Sequence, residues 1–472
     1  MKKFFSLILT ILFVIPAFAQ RNDIICRLGI VYEISKDVNW GFNKPVVLGV
    51  IPYTSAELSG IRRNDIIESI GGIPTDSLSP KQIRILLNPV GGRTIKLTVS
   101  NLTLKSRELL VRKECKRRNS ISESVLASAF SFYSLENTSV RSFVCPFKTQ
   151  QTKDTVDFTV YRTYSFVSKE DTEAEVDKNI YGVLEKELDR YGLERNNEKP
   201  DMLVLAYYYS EENPNYKEAY IESEARNTKY CFDYYRSRMD KFPFCSTADS
   251  TNALYILKYG FRFIDQRIKP GRVLWECEAK EYLSEPYPLD EYARVFTPLM
   301  FRQYPYVRYK ENVPFKISFK NYNYTGIHYD VKQMNRVMSV DENSPAAIAG
   351  IKSNDIIKMI DQKEMIASAN EYVSAYHAFI KETMNYRDKS TMFTDANGFD
   401  KCMFWDINHY SEITEAFSRP EYLGTFSYLY KFAPYVTPTG NNMCTFLVER
   451  DGAAFEVNVR PIVRNHVMIE LK

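Results

Sequence analysis

The stretch GIRRNDII at Gly60–Ile67 returns as GIKSNDII at Gly350–Ile357, and the reading of that frame settles the fold. Widened to TSAELSGIRRNDIIESI from Thr54 and SPAAIAGIKSNDIIKMI from Ser344, the copies agree at Ala, Gly, Ile, Asn, Asp, Ile, Ile and the last Ile. Two copies this far apart are an internal repeat but not a solenoid period. In each, small residues make one helical turn that ends at a glycine suited to a left-handed cap. An apolar residue follows, then a polar turn closed by Asn-Asp, then a strand that opens with two β-branched residues. Asp65 and Asp355 are expected to bond the turn's backbone amides, a structural task rather than a catalytic one.

Working outward, each copy is preceded by a glycine loop between apolar residues: Leu28-Gly29-Ile30 in RLGIVYEI, and Gly326-Ile327 in YTGIHYDV. Each is followed by a strand pair, GRTIKLTVS leading toward ELLVRKE in the first and CTFLVERDGAAFEVNVRPIV in the second. The Asp451-Gly452 dipeptide predicts a tight hairpin. In SPKQIRILL, Ser79 reads as an N-cap, Pro80 as the first helical residue, and Ile83, Leu86 and Leu87 as one apolar stripe.

On these residues both copies resemble the S-P-A-x-x-A-G-[IL]-x-x-x-D-x-I signature of PDZ domains in exported bacterial proteins. The second copy, with Ser344-Pro345-Ala346, is the better match. The resemblance implies an α+β protein with two PDZ-like, partly open β-barrels capped by helices. In such domains an extended peptide, usually a free C-terminus, adds as a strand beside the one that follows the glycine loop. A helix closes the groove, and loop amides hold the terminal carboxylate. The receiving strand in the first copy is Ile30 to Ile34. Peptide contacts are expected there from Leu28, Gly29, Ile30, Val31, Tyr32, Ile83 and Leu87, with an apolar terminal side chain between Leu28, Ile30, Ile83 and Leu87. In the second copy they are expected from Thr325, Gly326, Ile327 and His328. That copy departs from the pattern through a long insertion at about 362–441, including ANEYVSAYHAFIKE and CMFWDINHYSEITEAF, which either covers the groove or extends it.

Between the copies the patterning is α+β. TVDFTVYRTYSFV alternates like a strand, NIYGVLEKELDRYGL puts Ile180, Val183, Leu184, Leu188 and Tyr191 on one helical face, and DMLVLAYYYS reads as a strand. KYGFRFIDQRIKPGRVLWECEAKEYL reads as a hairpin turning at Lys269-Pro270-Gly271. This order is similar to a family of bacterial envelope lipoproteins with no assigned activity, and so implies a sandwich fold and a compartment but no chemistry. The expected organisation is a signal peptide at 1–19, a first PDZ-like domain at 24–114, a linker at 115–150, a central envelope domain at 151–312 and a second PDZ-like domain at 322–472.

The signal peptide is read from Lys2-Lys3, an apolar run from Phe4 to Pro16, and Ala17-Phe18-Ala19. No later run offers the ~18 apolar residues of a membrane span. A bacterial periplasmic or surface location is therefore expected. With 62 basic against 59 acidic residues in 472, the chain lacks the footprint of a nucleic-acid binder. Eight cysteines allow about 105 pairings, and no C-x-x-C spacing points to zinc or redox work.

A search for chemistry returns none. G-x-S-x-G, H-E-x-x-H, phosphate-loop and G-x-G-x-x-G patterns are missing from the sequence, and His328, His377, His409 and His466 stand singly. No catalytic residue, metal or cofactor is assigned. The expected function is a non-catalytic exported adaptor that captures extended or C-terminal peptide segments of partner proteins, envelope proteins or a protease among them. One alternative is an envelope-assembly protein whose grooves are filled by its own chain, with the long insertion as the plug. The other is a regulatory or degenerate relative of a PDZ-bearing protease.

Overall fold

The longest alternating runs of the chain meet in one eight-stranded sheet. Its order is Glu194–Arg195, Thr163–Phe166, Met202–Glu212, Tyr255–Asp265, Val273–Leu283, Val140–Gln151, Glu311–Tyr324 and Ile462–Leu471. These observations come from a computed structural model. It describes residues 24–88, 94–102, 106–117, 119–129, 140–167, 175–217, 229–236, 238–244, 247–393, 402–417, 425–429 and 443–472. The expected signal peptide lies outside them, as does part of the insertion at 362–441.

The expected hairpin forms between Tyr255–Asp265 and Val273–Leu283, with Met202–Glu212 antiparallel on its outer side. The helices Glu175–Arg190 and Leu289–Met300 pack against each other and join the same core as the sheet. Ile180, Leu184 and Leu188 are fully buried there, while Val183 and Tyr191 sit only half-buried at the edge of the stripe. That core is aromatic: Phe263 stacks on Trp275 at 5.5 Å between ring centres and meets Tyr304 edge-on at 4.8 Å. TVDFTVYRTYSFV is only half strand. Asp157 accepts the amide of Thr159 at 2.9 Å and starts a tight helical turn at Phe158–Val160, so pairing begins at Thr163.

The repeated frame builds two similar modules. In the first, Ile30–Ile34, Pro45–Val50, Ile66–Ile70, Thr94–Ser100 and Arg107–Arg112 follow one another across an open sheet. In the second, Lys363–Glu364, Ile356–Ile360, Cys444–Arg450 and Ala453–Val459 form one sheet. Val337–Val340, Ile327–Asp330 and Ser120–Ser122 form another. The fold is mixed α+β, and among the described residues no sheet closes into a barrel. Asp451 and Gly452 both take positive φ, 51° and 82°, and turn the last hairpin as the dipeptide predicts.

Both caps are left-handed, Gly60 at φ 85° and Gly350 at φ 92°. Asp65 accepts the amide of Arg62 at 2.8 Å and Asp355 that of Lys352 at 2.8 Å, the structural task expected of them. Each also holds an arginine that the frame does not contain. Arg107 reaches both oxygens of Asp65 at 2.8 and 2.9 Å, and Arg450 both oxygens of Asp355 at 2.7 Å. The same arginines bond the carbonyls of Gly60 and Gly350 at 2.8 Å, so one side chain ties the cap, the turn and a distant strand.

Residues 115–150, expected as a linker, instead hold structure along most of their length. Glu114–Arg117 pairs with Ile24–Arg27 and carries the Cys26–Cys115 disulfide. Ser120–Ser122 joins the second module, Glu123–Ala129 is helical, and Val140–Gln151 is an interior strand of the large sheet. Cys145, Cys231, Cys277 and Cys444 are buried thiols. The large sheet also reaches past 312 through Glu311–Tyr324 and ends on Ile462–Leu471, so strands flanking the second module belong to the central sheet. Among the described residues no helix is long and apolar enough to cross a membrane, and no cluster of metal-ligating side chains occurs.

Two outcomes follow from these contacts. Truncation in Asp65→Ala or Asp355→Ala removes a buried acceptor from the turn amide and from a half-buried arginine, and urea unfolding should register a loss of about 1–3 kcal/mol. On Ile462–Leu471, His466 faces Lys320 across the strand pair, and burial together with the Lys320 charge lowers its pKa to about 4. A histidine lowered in the fold contributes stability that is present above its unfolded value of 6.5 and is lost as pH falls toward 4. Thermal melts should show that loss in the wild type, and His466→Gln should flatten it.

Candidate peptide-binding grooves

In the second module the glycine loop lies across the short helix Pro345–Ile348. A Cβ on Gly326 would fall 2.2 Å from the Cβ of Ser344, and φ is 95°, so only glycine fits. The loop carbonyls are spent inside the module: that of Thr325 accepts from Ala346 at 2.9 Å and that of Gly326 from Asp341 at 2.8 Å. The amides of the same two residues point out of it and need an acceptor.

Glu123 is that acceptor. Its Oε2 takes the amides of Thr325 and Gly326 at 2.8 and 2.9 Å. Its Oε1 takes the Tyr428 hydroxyl at 2.9 Å and the Thr325 hydroxyl. The carboxyl is 1% exposed; burial pushes its pKa up from the ordinary value, and these four donors pull it back. Just before it, Ser120–Ser122 runs antiparallel along the receiving strand, pairing Ser122 with His328, Ile121 with Tyr329 and Ser120 with Asp330. Leu126, one helical turn past Glu123, is fully buried among Ile327, Tyr329, Phe426, Tyr428 and Leu429. Strand, carboxylate and apolar side chain thus occupy the places that an added peptide, its terminus and its last side chain take in strand addition.

The opposite wall is the turn Thr425–Leu429, whose Phe426 meets Tyr329 edge-on at 5.0 Å. Lys320, on the long strand Glu311–Tyr324, donates to the Ser124 carbonyl at 2.6 Å and to Ser128 Oγ at 2.8 Å and so holds the plugging helix from below. Burial lowers its pKa to about 8. Thr325, Gly326 and Ile327 therefore serve an internal segment. His328 is buried and bonds Asp341 through Nε2 at 2.8 Å; Asp341 also accepts from the Tyr324 hydroxyl at 2.6 Å. Burial works to raise the Asp341 carboxyl, but the His328 bond and charge and the Tyr324 hydroxyl hold it down at about 2.

The first module repeats the loop without the plug. Gly29 has φ 85°, a Cβ there would lie 2.3 Å from Thr54 Oγ1, and its carbonyl accepts from Ile51 at 2.7 Å. Among the described residues the amides of Leu28 and Gly29 form no hydrogen bond, and Ile30–Ile34 is an end strand that pairs only with Pro45–Val50. The facing helix is Pro80–Leu87, with Ser79 and Gln82 making a reciprocal cap that the sequence reading took only half of. Leu28, Ile83 and Leu87 are all core residues, 1–3% exposed, whereas Ile30, Val31, Tyr32 and Leu86 are half-buried. The half-buried set is what remains for an added strand and its side chains.

Glu123, Leu126, Lys320 and Tyr428 escaped the sequence reading. The only trace is SISESVL, where Ile121 alternates with serines and Glu123 stands three residues before Leu126; its meaning depends on a loop some 200 residues away.

Residues 148–306 match a family described as a domain of unknown function (DUF4136). A solved structure described as a PDZ domain protein from Parabacteroides distasonis is 49% identical, with a TM-score of 0.80 over 95% of this chain and 100% of that one. Two others align far less well. A photosystem II D1 C-terminal processing protease is 13% identical, covering 39% of this chain and 46% of its own, at TM-score 0.18. PelC from Paraburkholderia phytofirmans is 11% identical, covering 34% and 95%, at 0.16. Neither bears on this fold. No curated protein matches the sequence.

Removing the internal acceptor has a defined cost. Glu123→Ala strands two backbone amides and two hydroxyls in a buried site, and denaturant unfolding should show a loss of about 2–4 kcal/mol. Protease should then cut near residues 120–129, where the wild type resists.

Proposed function

The chain belongs to the family of the Parabacteroides distasonis PDZ domain protein, and on that premise we propose that it is a non-catalytic exported adaptor. Its first groove takes an extended or C-terminal segment of a partner protein by strand addition. Its second groove is held shut by residues 120–126.

One observation carries this reading: two loops of the same design meet different fates. The Thr325–Gly326 amides are satisfied by a carboxylate at the end of an antiparallel strand, while the Leu28–Gly29 amides and the strand beside them have no such partner among the described residues. The second module acts as an internal template for what the first would bind: a strand, then a carboxylate, then an apolar side chain. An envelope-assembly role is favoured by the same occupied groove; among the described residues the occupant is the 120–126 segment, while Thr425–Leu429 of the insertion at 362–441 forms the opposite wall.

Titration of the full chain with short peptides ending in an apolar residue tests the proposal. One site of about micromolar strength, roughly −8 kcal/mol, is expected, with loss of most affinity on amidation of the terminus. The double variant Glu123→Ala/Leu126→Ala should raise the stoichiometry from one to two. Binding indifferent to amidation would remove the carboxylate-capture mechanism.

A further inference from the structure

A cavity of about 270 Å³ lies where the first module's turn meets the ends of the two central helices. It is smaller than the about 300–1,000 Å³ of sites for drug-sized molecules. Its charge is one-sided. Four guanidinium groups, Arg62, Arg63, Arg190 and Arg302, face a single carboxylate, Glu187. That carboxylate is already taken by Arg190 at 2.6 Å and by the Tyr235 hydroxyl at 3.0 Å.

The remaining three cations form no ion pair among the described residues, although burial raises the Glu187 carboxyl and the Arg302 charge helps to pull it back down. Arg63 donates Nε to the Leu48 carbonyl at 3.1 Å and Nη2 to the Arg302 carbonyl, while Nη1 finds only the Tyr191 hydroxyl, at 3.5 Å. Burial lowers its pKa to about 10, the Tyr191 oxygen offsets this, and the Arg302 charge adds to it. Arg302 has its guanidinium 5.9 Å from the Tyr234 ring centre and forms no ion pair, and Arg62 is exposed at the rim. Arg63 and Arg302 are half-buried without an ion-pair partner, and a planar fork is suited to oxyanions.

We propose that this cavity binds a compact, multiply charged oxyanion of the phosphate type, clamped between Arg63 and Arg302 with Arg62 at the entrance. The occupied site joins the first module to the central domain, because Arg63 comes from the former and Arg302 from the helical turn Phe301–Gln303 that follows Leu289–Met300. This inference is independent of the peptide-binding reading.

Calorimetry and thermal melts of the full chain with inorganic phosphate and pyrophosphate test it, against sodium chloride at equal ionic strength and against citrate. Saturable uptake of one phosphate or pyrophosphate per chain is expected, with a rise in melting temperature that chloride does not give. Arg302→Gln should weaken it roughly tenfold or more, the worth of a charge-assisted hydrogen bond. Arg62→Gln, at an exposed position where folding is not at issue, should weaken it in the same direction. The proposal is overturned if chloride reproduces the effect, if citrate binds more tightly than pyrophosphate, or if both folded variants bind like the wild type.

Discussion

A glycine loop that spends its carbonyls on its own module leaves backbone amides in search of an acceptor, and this organises the molecule. In a site cut off from water such donors cannot be left bare without a cost of about 1–3 kcal/mol each. The second module resolves the debt internally through Glu123, and the strand and helix around that residue are placed by it. Where the same loop recurs near the N-terminus, its amides remain available, and a partner can supply what Glu123 supplies elsewhere.

The grooves are not independent beads. The strand Glu311–Tyr324 begins inside the central sheet and ends at the loop that binds Glu123, and Ile462–Leu471 runs back along it. At that seam the Arg464 guanidinium lies 4.7 Å from the Tyr53 ring centre of the first module and 3.3 Å from that of Tyr324. The Tyr53 hydroxyl donates to the Asn465 carbonyl at 2.9 Å and accepts its amide at 2.7 Å. Arg63 and Asn64, from the repeated frame, bond the carbonyls of Arg302 and Tyr304 on the other side of the interface. Strain imposed at either groove has short, bonded routes into the central sheet.

Local chemistry was legible in the sequence because it depends on neighbours in the chain. The Gly60 and Gly350 caps, the aspartates bonding their own turns, the Ser79 cap and the Asp451-Gly452 hairpin were all readable, and so was the mixed α+β class. What stayed hidden is set by contacts across the fold. Arg107 and Arg450 look like ordinary strand residues until Asp65 and Asp355 are placed beside them. Glu123 and Leu126 sit in a stretch whose composition reads as a connector. His328 follows the second loop but bonds Asp341, a choice of rotamer no periodicity records. The tightness of the apolar cores was hidden too: Ile83 and Leu87 face inward fully, which leaves the half-buried Ile30, Tyr32 and Leu86 at the first groove.

Amide hydrogen exchange of the native chain reaches the central claim directly, since it reads single backbone donors. The account predicts that the amides of Thr325 and Gly326 exchange as slowly as those of Ile327–Asp330, and that all of them speed up together when Glu123 is replaced. Fast exchange at Thr325 and Gly326 in the native protein, with the neighbouring strand still protected, would contradict it.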